Sequence, residues 1–116
     1  MKAGELLRWQ WNGYPQYHQS RANLMLHIVV VPLFLVANVG LVLALFSQAW
    51  LVAGLSVLVM GVSVALQGRG HSMEPQASVP FSSPLNALAR IFFEQWITFP
   101  RFVLSGAWSR ALRSAS

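Results

Sequence analysis

The chain has 116 residues, of which 55% are hydrophobic and 9% are charged, whereas a typical globular domain carries about 25% charged residues. This length fits one domain, and so few charges predict a membrane protein. The absence of cysteine excludes thiolate catalysis, disulfides and cysteine-ligated metal sites. The net charge of +5 comes from basic residues scattered singly along the chain. A nucleic-acid-binding protein clusters such residues, so no nucleic-acid partner is expected and anionic lipid is the expected one.

A short helix is predicted near the N-terminus, over residues 2–11. Its two tryptophans, Trp9 and Trp11, are typical of the headgroup region of a bilayer. The Asn12–Gly13 pair ends this helix, because both residues favour turns.

Two apolar runs follow, at 24–46 and 49–66, and each is long enough to cross a bilayer as a helix. Only two residues separate the runs, so they must form an antiparallel hairpin. The turn has no basic residue, whereas the flanking segments carry all of them. By the positive-inside rule, both termini are expected in the cytoplasm.

One face of the second run carries small residues, namely Gly54, Gly61 and Ala65. Small residues let helices approach closely in lipid. They are expected to pack against the first run. The alternative is a homodimer contact.

The C-terminal half predicts an irregular loop over 67–84 and then an amphipathic helix over 84–104. Ser83 is expected to cap this helix and Pro84 to occupy its first position. Its polar residues recur on one face (Asn86, Arg90, Glu94, Thr98 and Arg101), which predicts a helix lying in the cytoplasmic interface. Glu94 is expected to pair with Arg90 at i,i+4 spacing. The tail after Leu104 is expected to be loosely ordered.

These elements predict an all-α membrane protein. A two-helix transmembrane hairpin is flanked by N-terminal and C-terminal amphipathic interfacial helices, in a single membrane domain over residues 1–116.

The candidates for metal or acid–base chemistry are few, because the chain has only three acids and three histidines. The hairpin brings four of them to one membrane face: His18, His27, His71 and Glu74. An ionisable residue inside a span indicates a functional site, and His27 is the one here. Imidazole and carboxylate ligands suit iron, zinc, manganese or nickel.

The spacing of the histidines sets a condition on this site. His18 and His27 are nine residues apart and would lie on opposite faces of a straight helix, so the chain must bend between them, within the polar stretch 17–22. His71 and Glu74 are three apart and can face one centre on a helix or turn.

Each of these residues also has a purely structural interpretation. His27 could hydrogen-bond backbone or Asn23, His18 could be an ordinary interfacial residue, and Glu74 could cap a turn. Tyr14 could serve only as an interface anchor.

Two motifs resemble the Mpo1-like family of small membrane proteins, whose best-known members are iron(II)-dependent dioxygenases of 2-hydroxy fatty acids. The first motif comprises Tyr14, His18, Asn23, His27 and Pro32, and the second comprises Gly70, His71, Glu74 and Pro75. In larger members the glutamate follows the histidine by four residues, whereas here it follows by three. The stretch that begins at Pro80 resembles a compact bacterial branch, which implies the bacterial inner membrane.

The resemblance implies iron(II) as cofactor, held by His18, His27 and His71, with Glu74 as a further ligand. Asn23 and Tyr14 are the expected supports of the metal site. The implied partners are a 2-hydroxy fatty-acyl substrate and molecular oxygen, and the implied product is an acid one carbon shorter. An arginine is expected to meet the substrate carboxylate, the candidates being Arg21, Arg69 and Arg90.

Two other functions compete with the dioxygenase. One is a non-enzymatic membrane scaffold or assembly subunit, with a structural metal or none. The other is a metal or proton carrier, which is disfavoured because neither apolar run carries an ionisable residue at its centre.

Overall fold

The structure is a computed structural model that describes residues 2–116, and this part of the chain is all-helical. Helix α1 (Ala3–Gly13) leads through a 3₁₀ turn (Tyr14–Tyr17) to the long helices α2 (Arg21–Phe46) and α3 (Trp50–His71). Helix α4 (Pro84–Phe93) continues through a π-helical turn (Glu94–Thr98) into α5 (Phe99–Leu104), and α6 (Ala107–Ser114) follows. The predicted all-α class with a two-helix hairpin is confirmed.

Helices α2 and α3 are both long and apolar enough to cross a membrane. Their outward faces expose large apolar side chains, including Val36 (70% exposed), Phe46 (86%) and Leu51 (77%). Water would disfavour such a surface, whereas lipid would not. The helices extend beyond the predicted apolar runs, since α2 begins at Arg21 and α3 ends at His71.

The contact between α2 and α3 uses a mixed small and polar face of α3. Its buried residues recur every three or four or seven positions: Ala53, Ser56, Ser63, Gln67 and Gly70. The Ser63 hydroxyl donates a hydrogen bond to the Val30 carbonyl of α2 at 2.7 Å. Close packing and a hydrogen bond between helices therefore hold the hairpin together.

The small-residue stripe on α3 does not take part in this contact. Gly54, Gly61 and Ala65 are all exposed, and a Cβ added at Gly54 or Gly61 would meet no atom within 4 Å. The prediction that this stripe packs the hairpin is wrong, because the next face of α3 is the one that contacts α2.

The C-terminal helix begins as predicted, with the Ser83 hydroxyl accepting a hydrogen bond from the Asn86 amide at 3.0 Å. The tail, however, is not loose. Gly106 turns the chain at φ +85°. Helix α6 and the residue that follows it pack an apolar stripe (Trp108, Ala111, Leu112 and Ala115) on the core that contains Leu24. The Trp108 indole donates to the Leu24 carbonyl at 3.1 Å. The prediction of a loose tail missed this stripe, whose three- and four-residue spacing is that of a helix face.

Candidate metal centre

His18 and His27 approach each other because the chain bends between them. The 3₁₀ turn ends at Tyr17 and α2 begins at Arg21, so residues 18–20 are the non-helical stretch that the spacing required. Asn23, at the start of α2, receives a hydrogen bond from His27 across one helical turn.

Each of these two rings is oriented by a backbone carbonyl four residues earlier. The Nδ1–H of His18 donates to the Tyr14 carbonyl at 2.8 Å, and the Nδ1–H of His27 donates to the Asn23 carbonyl at 3.0 Å. These bonds fix the tautomer in which Nε2 carries a lone pair, which is the usual arrangement behind a metal-binding histidine.

His71 reaches the same place from the end of α3, where the glycine before it allows a close approach to α2. A Cβ at Gly70 would clash with the Asn23 side chain and lie 2.8 Å from Cδ2 of Leu26, a separation that Cβ atoms essentially never show. The Gly–His pair of the second motif thus has a steric cause.

Glu94 is the fourth member of the group. It begins the π-helical turn, an irregularity that is frequent at functional sites. Its Oε2 lies 3.7 Å from Nε2 of His18 and 3.9 Å from Nε2 of His27. The i,i+4 spacing predicted that Glu94 pairs with Arg90, but these two side chains form no ion pair. Glu94 accepts a hydrogen bond from the Tyr14 hydroxyl at 2.7 Å.

Together His18, His27, His71 and Glu94 offer one ligand atom each, all within 4.8 Å of one another. The three imidazole rings stand roughly perpendicular to each other, with centroids 4.9–5.2 Å apart. Nε2 of His18, Nε2 of His27 and Nδ1 of His71 are buried without a hydrogen-bond partner. Buried polar atoms are almost always partnered, so this donor set fits a metal ion.

The protonation state of Glu94 also suits a metal ligand. Burial raises the pKa of Glu94, but the His18 and His27 rings in their protonated form, together with the Tyr14 hydroxyl, outweigh burial and bring it to about 2 in the absence of a metal. Burial and the Glu94 carboxylate raise the pKa of Tyr14 well above its usual value. The carboxylate is therefore ionised and the phenol protonated at neutral pH.

Glu74, the acid that the sequence placed beside His71, lies outside this group of four. Its carboxylate accepts hydrogen bonds from the Gln19 amide at 2.6 Å, from the Ser20 amide at 3.1 Å and from the Asn23 side chain at 2.7 Å. It thereby ties the loop after α3 to the start of α2, behind the histidines.

A cavity of about 670 Å³ opens next to the group of four. His18, His71 and Glu94 line one side of it. Most of the lining surface is apolar, with Trp9, Val64, Val79, Phe81 and Ile91 among the residues that form it, and amide side chains such as Gln10, Gln67 and Gln95 also line the cavity. Since His71 and Glu94 are the two less buried members of the group, the open side of the centre faces this cavity.

The three candidate arginines lie in different places. Arg90 lines the cavity, where its guanidinium lies 4.4 Å from the ring centroid of Phe81 and 5.1 Å from that of Trp9 and donates to the Pro80 carbonyl at 3.2 Å. Arg21 donates to the Leu112 carbonyl of α6, and Arg69 is exposed on α3. Neither Arg21 nor Arg69 lines this cavity.

Comparison with known families gives a match to "2-hydroxy-palmitic acid dioxygenase Mpo1-like" over residues 5–101. The chain belongs to the Mpo1-like family. The matched range includes all four members of the metal-ligand group, and the name of the Mpo1-like family supports a dioxygenase-like role. Searches of curated proteins and of solved structures gave no match.

The sequence of this Mpo1-like protein did not single out Glu94 as a candidate ligand. Its i,i+4 spacing to Arg90 supported an ion pair, and nothing local in the sequence marks the π-helical turn that begins at Glu94.

Proposed function

We propose that this Mpo1-like protein is an iron(II)-dependent dioxygenase that shortens 2-hydroxy fatty acids by one carbon. The observation that carries the proposal is a set of three histidine nitrogens without partners and one carboxylate, all within 4.8 Å, beside a largely apolar cavity. Imidazole and carboxylate donors suit iron(II) with open positions for reactants.

We place Glu94 in the ligand set with His18, His27 and His71. Glu74 remains a supporting residue, because its oxygens are occupied by the Gln19, Ser20 and Asn23 donors. Asn23 supports the centre through its backbone carbonyl, which accepts a hydrogen bond from the His27 ring. Tyr14 supports it through its carbonyl, which accepts from the His18 ring, and through its hydroxyl, which donates to Glu94. Such partners behind the ligands set ring orientation and basicity.

When bound, iron(II) supplies the activation of molecular oxygen. The C1–C2 bond of the 2-hydroxy acid breaks. The atoms and electrons balance when one O₂ converts the acid to the acid one carbon shorter, carbon dioxide and water. We assign the binding of the substrate carboxylate to Arg90, because Arg90 lines the cavity that Glu94 and His71 also line.

The substrate's acyl chain fits the apolar walls of the cavity, which include Val64, Phe81 and Ile91. Their apolar character and the exposed apolar faces of α2 and α3 support a protein that works in a bilayer. We infer a single multi-pass domain of the bacterial inner membrane. Both termini are in the cytoplasm, because the basic residues flank the hairpin and the 47–48 turn has none. A homodimer through the exposed Gly54–Gly61 face of α3 stays a prediction.

The cavity favours an enzyme over a scaffold, because a structural metal site is closed around its ion. The test is oxygen uptake by protein purified without a histidine tag and loaded anaerobically with iron(II). With 2-hydroxy-palmitic acid we expect one O₂ consumed per acid and a fifteen-carbon acid as product, and no uptake with palmitic acid or with zinc-loaded protein. No uptake with any 2-hydroxy acyl chain would overturn the enzymatic proposal.

A further inference from the structure

The π-helical turn is hydrogen-bonded to four other elements of the fold, each through a different side chain. Glu94 accepts from Tyr14 of the 3₁₀ turn, Gln95 pairs with Gln67 of α3, the Trp96 indole donates to Asn38 of α2, and the Thr98 hydroxyl donates to Gln10 of α1. Consecutive residues of a helical segment project in different directions, so these five residues reach partners on several sides of the turn. The π-helical turn therefore joins four elements of the fold next to the Glu94 carboxylate.

The contact between Gln67 and Gln95 is reciprocal. The Gln67 amide nitrogen donates to the Gln95 oxygen at 2.9 Å, and the Gln95 nitrogen donates to the Gln67 oxygen at 2.7 Å. Both side chains are buried, at 6% and 1% exposure. The Gln67 nitrogen also donates to the Ser63 hydroxyl at 3.1 Å, which in turn donates to the Val30 carbonyl. The pair is thus anchored through α3 to the backbone of α2.

The amide pair joins the segments that carry two ligands of the proposed centre. Gln67 lies one helical turn before His71 on the same face of α3, and Gln95 follows Glu94 directly in the π-helical turn. We propose that Gln67 and Gln95 are positioning residues that fix the separation between the His71 ring and the Glu94 carboxylate. This inference rests on the proposed metal centre for its functional meaning. The restraint on the turn can be measured without metal.

The first test uses the metal-free protein. Hydrogen exchange of the backbone amides of 94–98 is compared in the wild type, in Gln95→Leu and in the double variant Gln67→Leu/Gln95→Leu. The double variant is included because replacing both partners of a hydrogen bond by apolar groups is often nearly neutral for folding. We expect both variants to exchange at least about tenfold faster in this turn, consistent with the loss of about one hydrogen bond. In Gln95→Leu, which leaves α2 and α3 unaltered in sequence, exchange in the hairpin should stay unchanged.

The matched control is a second glutamine pair, which is exposed: Gln16 donates to Gln76 at 2.8 Å. Gln76→Leu removes that bond without touching the π-helical turn, so exchange in 94–98 should equal that of the wild type. Equal exchange in Gln95→Leu and Gln76→Leu would overturn the inference.

The second test measures iron(II) affinity and its coupling to Glu94. Gln95→Leu should weaken binding about 10–100-fold, the usual effect of losing a partner behind a ligand, whereas Gln76→Leu should change it less than twofold. In a Glu94→Gln background the Gln95→Leu change should weaken binding no further than about twofold, since the carboxylate that it positions is already gone. Fully additive losses would overturn the inference, because a merely structural role predicts additivity. If the wild type bound no metal while exchange in the turn still rose, the proposed function would fail and the restraint by the pair would stand.

Discussion

The Tyr14 hydroxyl donates a hydrogen bond to Oε2 of Glu94 at 2.7 Å, although the two residues are 80 positions apart in the chain. The Tyr14 ring also stacks on the His18 ring, with a centroid separation of 3.8 Å, and its carbonyl orients that same histidine. One tyrosine therefore contacts two proposed ligands, His18 and Glu94.

Tyr14→Phe separates these roles, because it keeps the stacked ring and removes the hydroxyl. We expect the fold to persist and iron(II) affinity to fall about tenfold, since the Glu94 carboxylate loses the donor that orients it. Anaerobic iron(II) titration measures this. Tyr17→Phe is the control, since its ring is not among those stacked on the histidines, and it should bind like the wild type. Equal affinities for the two variants would contradict the role given to the hydroxyl.

Glu94→Gln and Glu74→Gln distinguish the two acids near the histidines. Glu94→Gln should lower iron(II) affinity by at least about 100-fold, since partners merely behind ligands already cost 10–100-fold. Glu74→Gln should retain affinity within about tenfold, because that carboxylate faces backbone amides and Asn23. The reverse order of losses would place Glu74 in the ligand set.

Glu74→Gln should act on stability, because the amide replaces one acceptor oxygen with a donor that opposes the Asn23 or Ser20 donors. Hydrogen bonds to charged groups contribute about 1.5–3 kcal/mol each. Loss of one predicts a lower Tm by several degrees in detergent. A change of the exposed Gln76 to Glu serves as the control and should leave Tm unchanged.

Gly70→Ala tests the close approach of α3 to α2. The added Cβ would clash with Asn23 and Leu26, so we expect the free energy of unfolding to fall by about 1–3 kcal/mol. We also expect weaker metal binding, because the clash would displace the adjacent His71. Gly61→Ala is the matched control in the same helix, because its Cβ would meet no atom within 4 Å, and alanine favours a helix over glycine by about 0.5–1 kcal/mol. Thermal unfolding of both variants decides this, and a Gly70→Ala protein as stable as Gly61→Ala would disprove the steric argument.

Arg90→Met tests the binding of the substrate carboxylate. We expect KM for 2-hydroxy-palmitic acid to rise about tenfold or more, because a charge-assisted hydrogen bond is lost, with a smaller change in kcat. Arg69→Met provides the comparison, since Arg69 does not line the cavity, and it should keep the wild-type KM. If Arg69→Met raised KM as much as Arg90→Met did, the carboxylate would have to bind elsewhere.

Much of the fold follows from local patterns in the chain. The apolar runs predicted the hairpin, and Ser83 with Pro84 predicted the start of α4. The nine-residue interval between His18 and His27 predicted a bend, which the structure places at residues 18–20. These features depend on neighbours along the chain, and for that reason sequence reasoning reached them.

The remaining features depend on contacts between distant segments. The Glu94 carboxylate meets His18, His27 and Tyr14, which lie in the N-terminal part of the chain. The π-helical turn that begins at Glu94 is hydrogen-bonded to Gln67, Asn38 and Gln10, which are also far from it in sequence. The spacing of Glu94 to Arg90 pointed instead to an i,i+4 pair. Glu74 sits beside His71 in sequence, but backbone donors of residues 19 and 20 draw its carboxylate away from the centre.

The central claim is that His18, His27, His71 and Glu94 hold one metal ion, and an anaerobic iron(II) titration of protein purified without a histidine tag tests it most directly. The predicted result is saturation at one iron per chain, abolished in the triple variant His18→Gln/His27→Gln/His71→Gln while its helical content by circular dichroism is retained. A wild type that binds no iron, or a triple variant that binds it as tightly, would contradict the claim.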